Sequence, residues 1–256
     1  MPPLIQALGD SDGDVRRASA EALGKLGDSQ AVPALSVWAH AGEDAARDAL
    51  QTLGHPMLDL PQAVAQVAAQ GVWGVLIRAL TCAQVREVVV GLGAPAVPAL
   101  IQALGDSGWA VCRAAAEALV AIGDPQAVPA LIEALGHVTA HFADDWDAVR
   151  FAAAEALVKI GTPAVSPLIQ ALGDDEICVC RAAAWALGKL GDPQAISALI
   201  QALGDNKFWV RAAAAWALGK LGDPQAIPAL IQALGDDWDA VRRDRKSTRL
   251  NSSHLA

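Results

Sequence analysis

The sequence predicts an all-α fold, a right-handed solenoid of about eight helix-pair repeats of ~31 residues. Three observations predict it. First, a phrase recurs: PPLIQALGD around Leu4 returns as VPALIQALGD at Leu100, VPALIEALGH at Leu131, VSPLIQALGD at Leu168, ISALIQALGD at Leu199 and IPALIQALGD at Leu230. Second, the spacing holds, with Leu4 to Leu35, Leu100 to Leu131, Leu168 to Leu199 and Leu199 to Leu230 each spanning 31 residues. Third, hydrophobic residues make up 54% but aromatics only 4%, so the apolar content is mostly Ala, Leu and Val, as in packed helices. The 14 prolines and 22 glycines exclude long helices and suit many short ones with regular punctuation.

Each unit reads as two helices. Asp192 serves as N-cap with Pro193 at the first helical position. This helix runs through Ile196 and Leu199 to Leu203 and stops at Gly204. The turn GDNKF leads to a second helix from about Trp209 to Leu221, ended by Gly222. Pro33, Pro98, Pro129 and Pro228 sit in first turns, where a missing N–H costs little. One pair cannot bury its apolar face alone, so stacked neighbours must.

The pattern has two departures. Leu131 to Leu168 is longer by an insertion, HVTAHFA, at 137–143. Between Leu35 and Leu100 the phrase blurs, although Pro61-Gln62-Ala63-Val64 echoes Pro125-Gln126-Ala127-Val128 and places Val67 near the midpoint. These degenerate repeats, 29–93, have second helices interrupted by Gly42, Gly71 and Gly74, and the expectation is that they are the least protected part of the array. One continuous domain is expected over 1–243. Met1 stands where Val97 or Val128 stands later, so the array reads as a fragment lacking its caps. The tail 244–256 leaves the pattern, and DRKSTRLNSSH resembles a translated sequencing adapter, which implies assembly read-through in a metagenomic fragment.

The unit DPQAVPALIEALG followed by DAVRFAAAEALVKIG resembles the HEAT-like repeat of the phycobilisome (phycobilin) lyase family, and also the unit of artificial consensus HEAT-like binders. The resemblance covers Met1 to Arg243. It implies an armadillo-like helical solenoid. It further implies that Arg16, Arg150, Arg211 and Arg242, each six residues after Asp10, Asp144, Asp205 or Asp236, build an Asp–Arg ladder between repeats.

Helical phase sorts the second helices into columns. Rotating 100° per residue from Val15 gathers Val15, Ser19, Ala22, Leu23 and Leu26 on one side, the expected core. Asp14, Arg17 and Glu21 fall opposite. The core columns barely change from repeat to repeat, whereas the opposite stripe varies freely. It becomes Arg113 in the fourth repeat, Phe151 in the fifth, Arg181 and Trp185 in the sixth, and Trp209 and Trp216 in the seventh, with Trp109 and Phe208 at its edge. Two readings stand open: tryptophans packed under a neighbouring loop, or an exposed patch on the concave face. The patch reading expects Trp185, Trp209 and Trp216 to be largely solvent-accessible, with Arg113 and Arg181 as flanking charge. Trp and Arg are enriched at binding hot spots.

Other patterns point away from chemistry. Cys112 and Cys180 take the arginine position and read, like Cys82 and Cys178, as reduced thiols of a cytoplasmic protein. His137 and His141 have helical metal spacing but lie in the insertion and lack a zincin glutamate. No His-Glu pair of the deoxyhypusine hydroxylase kind occurs, nor a phosphate loop or nucleophile–base motif. A net charge of −9 disfavours nucleic acid, and with it an alkylpurine DNA glycosylase of related fold. No apolar run reaches the ~18 residues of a membrane span. The reading is a monomeric, noncatalytic scaffold that binds a protein partner on its concave face, without cofactor or metal. The alternative is a phycobilin lyase subunit whose groove holds a tetrapyrrole beside a phycobiliprotein.

Overall fold

The computed structural model describes residues 3–106, 108–136 and 143–233. The insertion, apart from Ala143, and the tail 244–256 lie outside these residues. Fifteen α-helices and no strand occur among the described residues. They are α1 Pro3–Ala7, α2 Gly13–Leu26, α3 Val32–His40, α4 Asp44–Leu53, α5 Leu60–Ala69, α6 Trp73–Ala79, α7 Ala83–Gly91, α8 Val97–Ala103, α9 Trp109–Ile122, α10 Val128–Leu135, α11 Ala143–Ile160, α12 Val165–Ala171, α13 Ile177–Leu190, α14 Ile196–Ala202 and α15 Phe208–Leu221. No single helix is long and apolar enough to cross a membrane.

The punctuation works as its chemistry requires. The Asp28, Asp124, Asp192 and Asp223 carboxylates each accept the backbone N–H two residues on. Each thereby starts a short 3-10 turn that runs directly into the next first helix. The first helix is therefore a 3-10 turn plus an α-helix, where a single helix is expected. Gly27, Gly123, Gly191 and Gly222 end the second helices in the left-handed conformation, with φ between 69° and 74°.

The helices cluster into two compact units, Met1–Lys159 and Ile160–Ala256. In the second unit α12 packs on α13, α13 on α15 and α14 on α15. Gly188 of α13 makes the close approach possible: a Cβ there would lie 2.9 Å from the Ala217 Cα. In the first unit α2 packs on α4, and Gly24 meets Ala49 in the same way at 3.0 Å.

The degenerate segment has weakened second helices, as expected, around a well-buried first helix. Its second helices, α4 and α7, are about one turn shorter than the 14 residues of α2 and α9. Yet every residue of α3 except His40 is buried, because α4, α5 and α6 surround it. Gly42 and Gly71 lie between helices, and Gly74 lies within α6. Gly9, just after α1, touches the Gly74 backbone so closely that a Cβ on it would sit 2.7 Å away. The Trp38 indole N–H donates to the Leu8 carbonyl at 2.8 Å. The segment is thus wrapped rather than loosely strung.

The predicted core face needs one correction. Val111, Val149, Val179 and Val210 are buried, as their column requires, but Val15 and Leu26 are 39% and 69% exposed. In α2 the buried side is Ser19, Ala20, Leu23 and Gly24. That side faces α4.

Candidate functional site

The start of each second helix is held by one recurring device. Asp10, Asp106, Asp174 and Asp205 use a carboxylate oxygen to accept the N–H two residues later, at 2.7–2.8 Å. Six residues on, a side chain reaches back to the same aspartate's carbonyl. Arg16 and Arg211 donate at 3.0 Å, the Cys112 thiol at 3.0 Å and the Cys180 thiol at 2.9 Å. Arg86 does the same to the Leu80 carbonyl at 3.2 Å.

Where the Asp–Arg ladder is expected, Arg16 and Arg211 meet the carbonyl of the aspartate six residues back, and Arg16 also lies 3.6 Å from Glu43 of the next repeat. Arg150 pairs with Asp147 in its own helix. The Asp144 side chain, Asp236 and Arg242 lie outside what is described. Further ion pairs link repeats: Arg78 to Asp106 at 2.7 Å and Arg86 to Glu117 at 3.3 Å in the first unit. In the second unit, the Lys207 ammonium donates to the Asp174 and Asp175 carbonyls at 3.2 and 3.1 Å.

The stripe residues fall in both units. In the first, Trp109 is half-buried, Arg113 exposed and Phe151 54% exposed. The Arg113 guanidinium lies over the Trp109 ring at 5.3 Å and 3.6 Å from Glu117. In the second, Phe208 is 67% and Trp216 39% exposed, and Arg181 is exposed, but Trp185 and Trp209 are half-buried. The expectation of largely accessible indoles is therefore too strong. The Trp216 ring rests on Gly188, where the absent side chain leaves backbone to cover. Trp209 meets Phe208 edge-on, centroids 4.9 Å apart, and its Nε1–H is buried without an acceptor among the described residues.

Three participants escape the stripe reading. Ile177 shares its column with Trp109 and Phe208, and that column would have revealed it. Lys189 and Lys220 lie 5.6 Å over the Trp185 and Trp216 rings, one turn back. Ile177, Arg181, Phe208, Trp209, Ala212 and Ala213 line a groove of about 480 Å³ between α13 and α15.

The cysteines are free thiols. Burial first, then the Asp106 carboxylate, pushes Cys112 from 9.0 up to about 11. Burial also raises Cys180, against the nearby Lys207 charge. Neither is a poised nucleophile. Among the described residues no cluster of His, Cys, Asp or Glu could hold a metal ion. His137 and His141 lie outside them.

The family described as HEAT repeats matches residues 1–54, 59–142 and 165–246. The chain belongs to the HEAT repeats. A second description, PBS lyase HEAT-like repeat, matches 149–174. No curated protein matches the chain. Among solved structures, Kap121p shares 14% identity at a TM-score of 0.54, over 90% of this chain and 31% of its own. That likeness shows the fold alone. The complex of CpcE and CpcF of phycocyanin lyase from Nostoc sp. PCC7120 shares 25% identity, with a TM-score of 0.40, over 57% of this chain and 98% of that chain. Human deoxyhypusine hydroxylase shares 22%, with a TM-score of 0.41, over 86% of this HEAT-repeat chain and 83% of its own.

Proposed function

We propose that the chain is a noncatalytic interaction scaffold that binds a protein partner along the concave stripe of its second helices. The HEAT-repeat fold supports the scaffold role. The observation that carries the placement is the replacement of the Glu21-type position by Trp185 and Trp216. Each still has the lysine four residues on, now as a cation–π partner. The repeat accepts a carboxylate at this position, since Glu117 and Glu155 occupy it in the fourth and fifth repeats.

A photo-crosslinking side chain placed at Arg181, and separately at exposed Gln201 on first helix α14, tests this in an extract of the source cells. The expected result is a protein adduct from position 181 and none from 201. Adducts from 201 alone overturn the placement. The phycobilin reading has the match over 149–174 behind it. Mixing the chain with a bilin and finding no shift of its visible band removes that alternative.

We also propose that the array occupies 1–243 and that 244–256 is foreign to it. Deleting 244–256 leaves the melting temperature unchanged on this view, and a large drop contradicts it.

A further inference from the structure

We infer that the groove between α13 and α15 is a docking site for an acidic, aromatic-bearing segment of the partner protein. This rests on the interaction reading above and gives the partner a chemistry.

The groove's shape comes first. Ala212 and Ala213 leave room between the helices, and Ile177, Phe208 and Trp209 surround that room with apolar surface. It is an open groove of about 480 Å³, room for one bulky side chain to lie along the surface. Phe208 is 67% exposed and borders this space, so an incoming aromatic ring has a ring to pack on.

Charge selects the occupant. The chain carries −9 overall, yet α13 and α15 contain no Asp or Glu. They do contain Arg181, Lys189, Arg211 and Lys220. Arg211 is spent on the Asp205 carbonyl, and the two lysines cover tryptophan rings. Arg181 lines the groove and makes no ion pair or hydrogen bond among the described residues.

Three of the neighbouring acids have partners of their own: Asp174 and Asp205 accept backbone amides, and Asp175 lies 4.0 Å from Lys207. Glu176, at the N-cap of α13, is exposed and does not line the groove.

The equivalent arginine in the first unit shows the contrast. Arg113 has a carboxylate partner on its own helix, Glu117, which it shares with Arg86. Arg181 has Trp185 where Arg113 has Glu117. A basic segment is repelled here, and a purely apolar one strips water from Arg181 without repaying it. A segment with carboxylates beside an aromatic residue satisfies both the cation and the apolar walls.

The test uses the full chain and a fluorescein-labelled, end-blocked peptide that alternates Asp-Asp and Phe. Fluorescence polarisation is expected to show saturable binding that weakens with added salt. Arg181→Glu and Phe208→Ser each weaken it at least tenfold, while Arg113→Glu changes it less than twofold. Both weakening substitutions are at exposed positions, and unchanged helical circular dichroism and melting confirm the fold. A Lys-Lys-Phe peptide is expected not to bind.

Equal binding of the two peptides, or full affinity in Arg181→Glu, overturns the inference. If the peptide shows no preference while position 181 still crosslinks to a protein, only this chemistry falls. If crosslinking fails as well, the interaction reading falls with it.

Discussion

At Cys112 a thiol does the work that a guanidinium does at Arg16, donating to the carbonyl six residues back. Its burial has a pH consequence. The folded pKa lies above the ordinary one, so the folded state holds the proton more tightly than the unfolded chain. That contribution is complete below about pH 9 and is lost as pH rises through about 11. Cys112→Ser keeps the donor and removes the titration. Its melting temperature should fall less steeply than wild type's between these two pH values, by calorimetry. The aromatic residues make a second case. Trp209→Phe removes a buried donor that has no acceptor among the described residues, a group that costs ~1–3 kcal/mol. Thermal melts should show equal or greater stability. Trp216→Glu should cost about 1–2 kcal/mol, because its ring covers Gly188 and is only part exposed. A negligible loss would mean that the indole contributes nothing to packing.

Among the helices, one column gives opposite outcomes in neighbouring repeats. Gly188 faces Ala217 at contact distance, whereas its equivalent Gly219 has nothing within 4 Å among the described residues. Gly188→Ala should therefore destabilise by about 1–3 kcal/mol through overpacking. Gly219→Ala should stabilise by ~0.5–1 kcal/mol through helix propensity. Denaturant unfolding of the two variants checks the difference in sign. The sequence makes the helix ends legible, since an Asp cap or a left-handed glycine acts within a few residues of itself. It also makes the outward columns legible, since helical phase is local. It does not show that Trp216 leans back over Gly188, because that depends on how closely α13 and α15 approach. Nor does it show the 3-10 turns, whose hydrogen bonds use the same Asp and Pro residues that start an α-helix. The packing around α3 is hidden for a different reason: α5 and α6 follow no repeat template, and no column analysis reaches them.

Across the whole molecule, the HEAT-repeat chain is not uniformly a nearest-neighbour array. In the second unit each helix pair is held by the pairs beside it in sequence. Near the start of the first unit, Gly9 and Gly74 touch although they are two repeat lengths apart. Hydrogen exchange should therefore be as slow at 32–39 as at 111–119, with faster sites at the exposed Met57 and Asp59 between α4 and α5. Fast exchange throughout 29–93 would instead make this the weak segment of the array. The same contact bears on how the chain folds. A helix pair can close as soon as its own residues exist, but the Gly9–Gly74 approach must wait for a long loop to be drawn shut, and the entropy of that closure is lost before any packing returns it. Trp38 lies inside that loop and bonds to Leu8 near one end of it. In a refolding experiment on a chain whose other tryptophans are replaced by phenylalanine, Trp38 emission should recover more slowly than helical circular dichroism. The array would then acquire its helices early and lock its first turns last, against the direction in which the chain is synthesised.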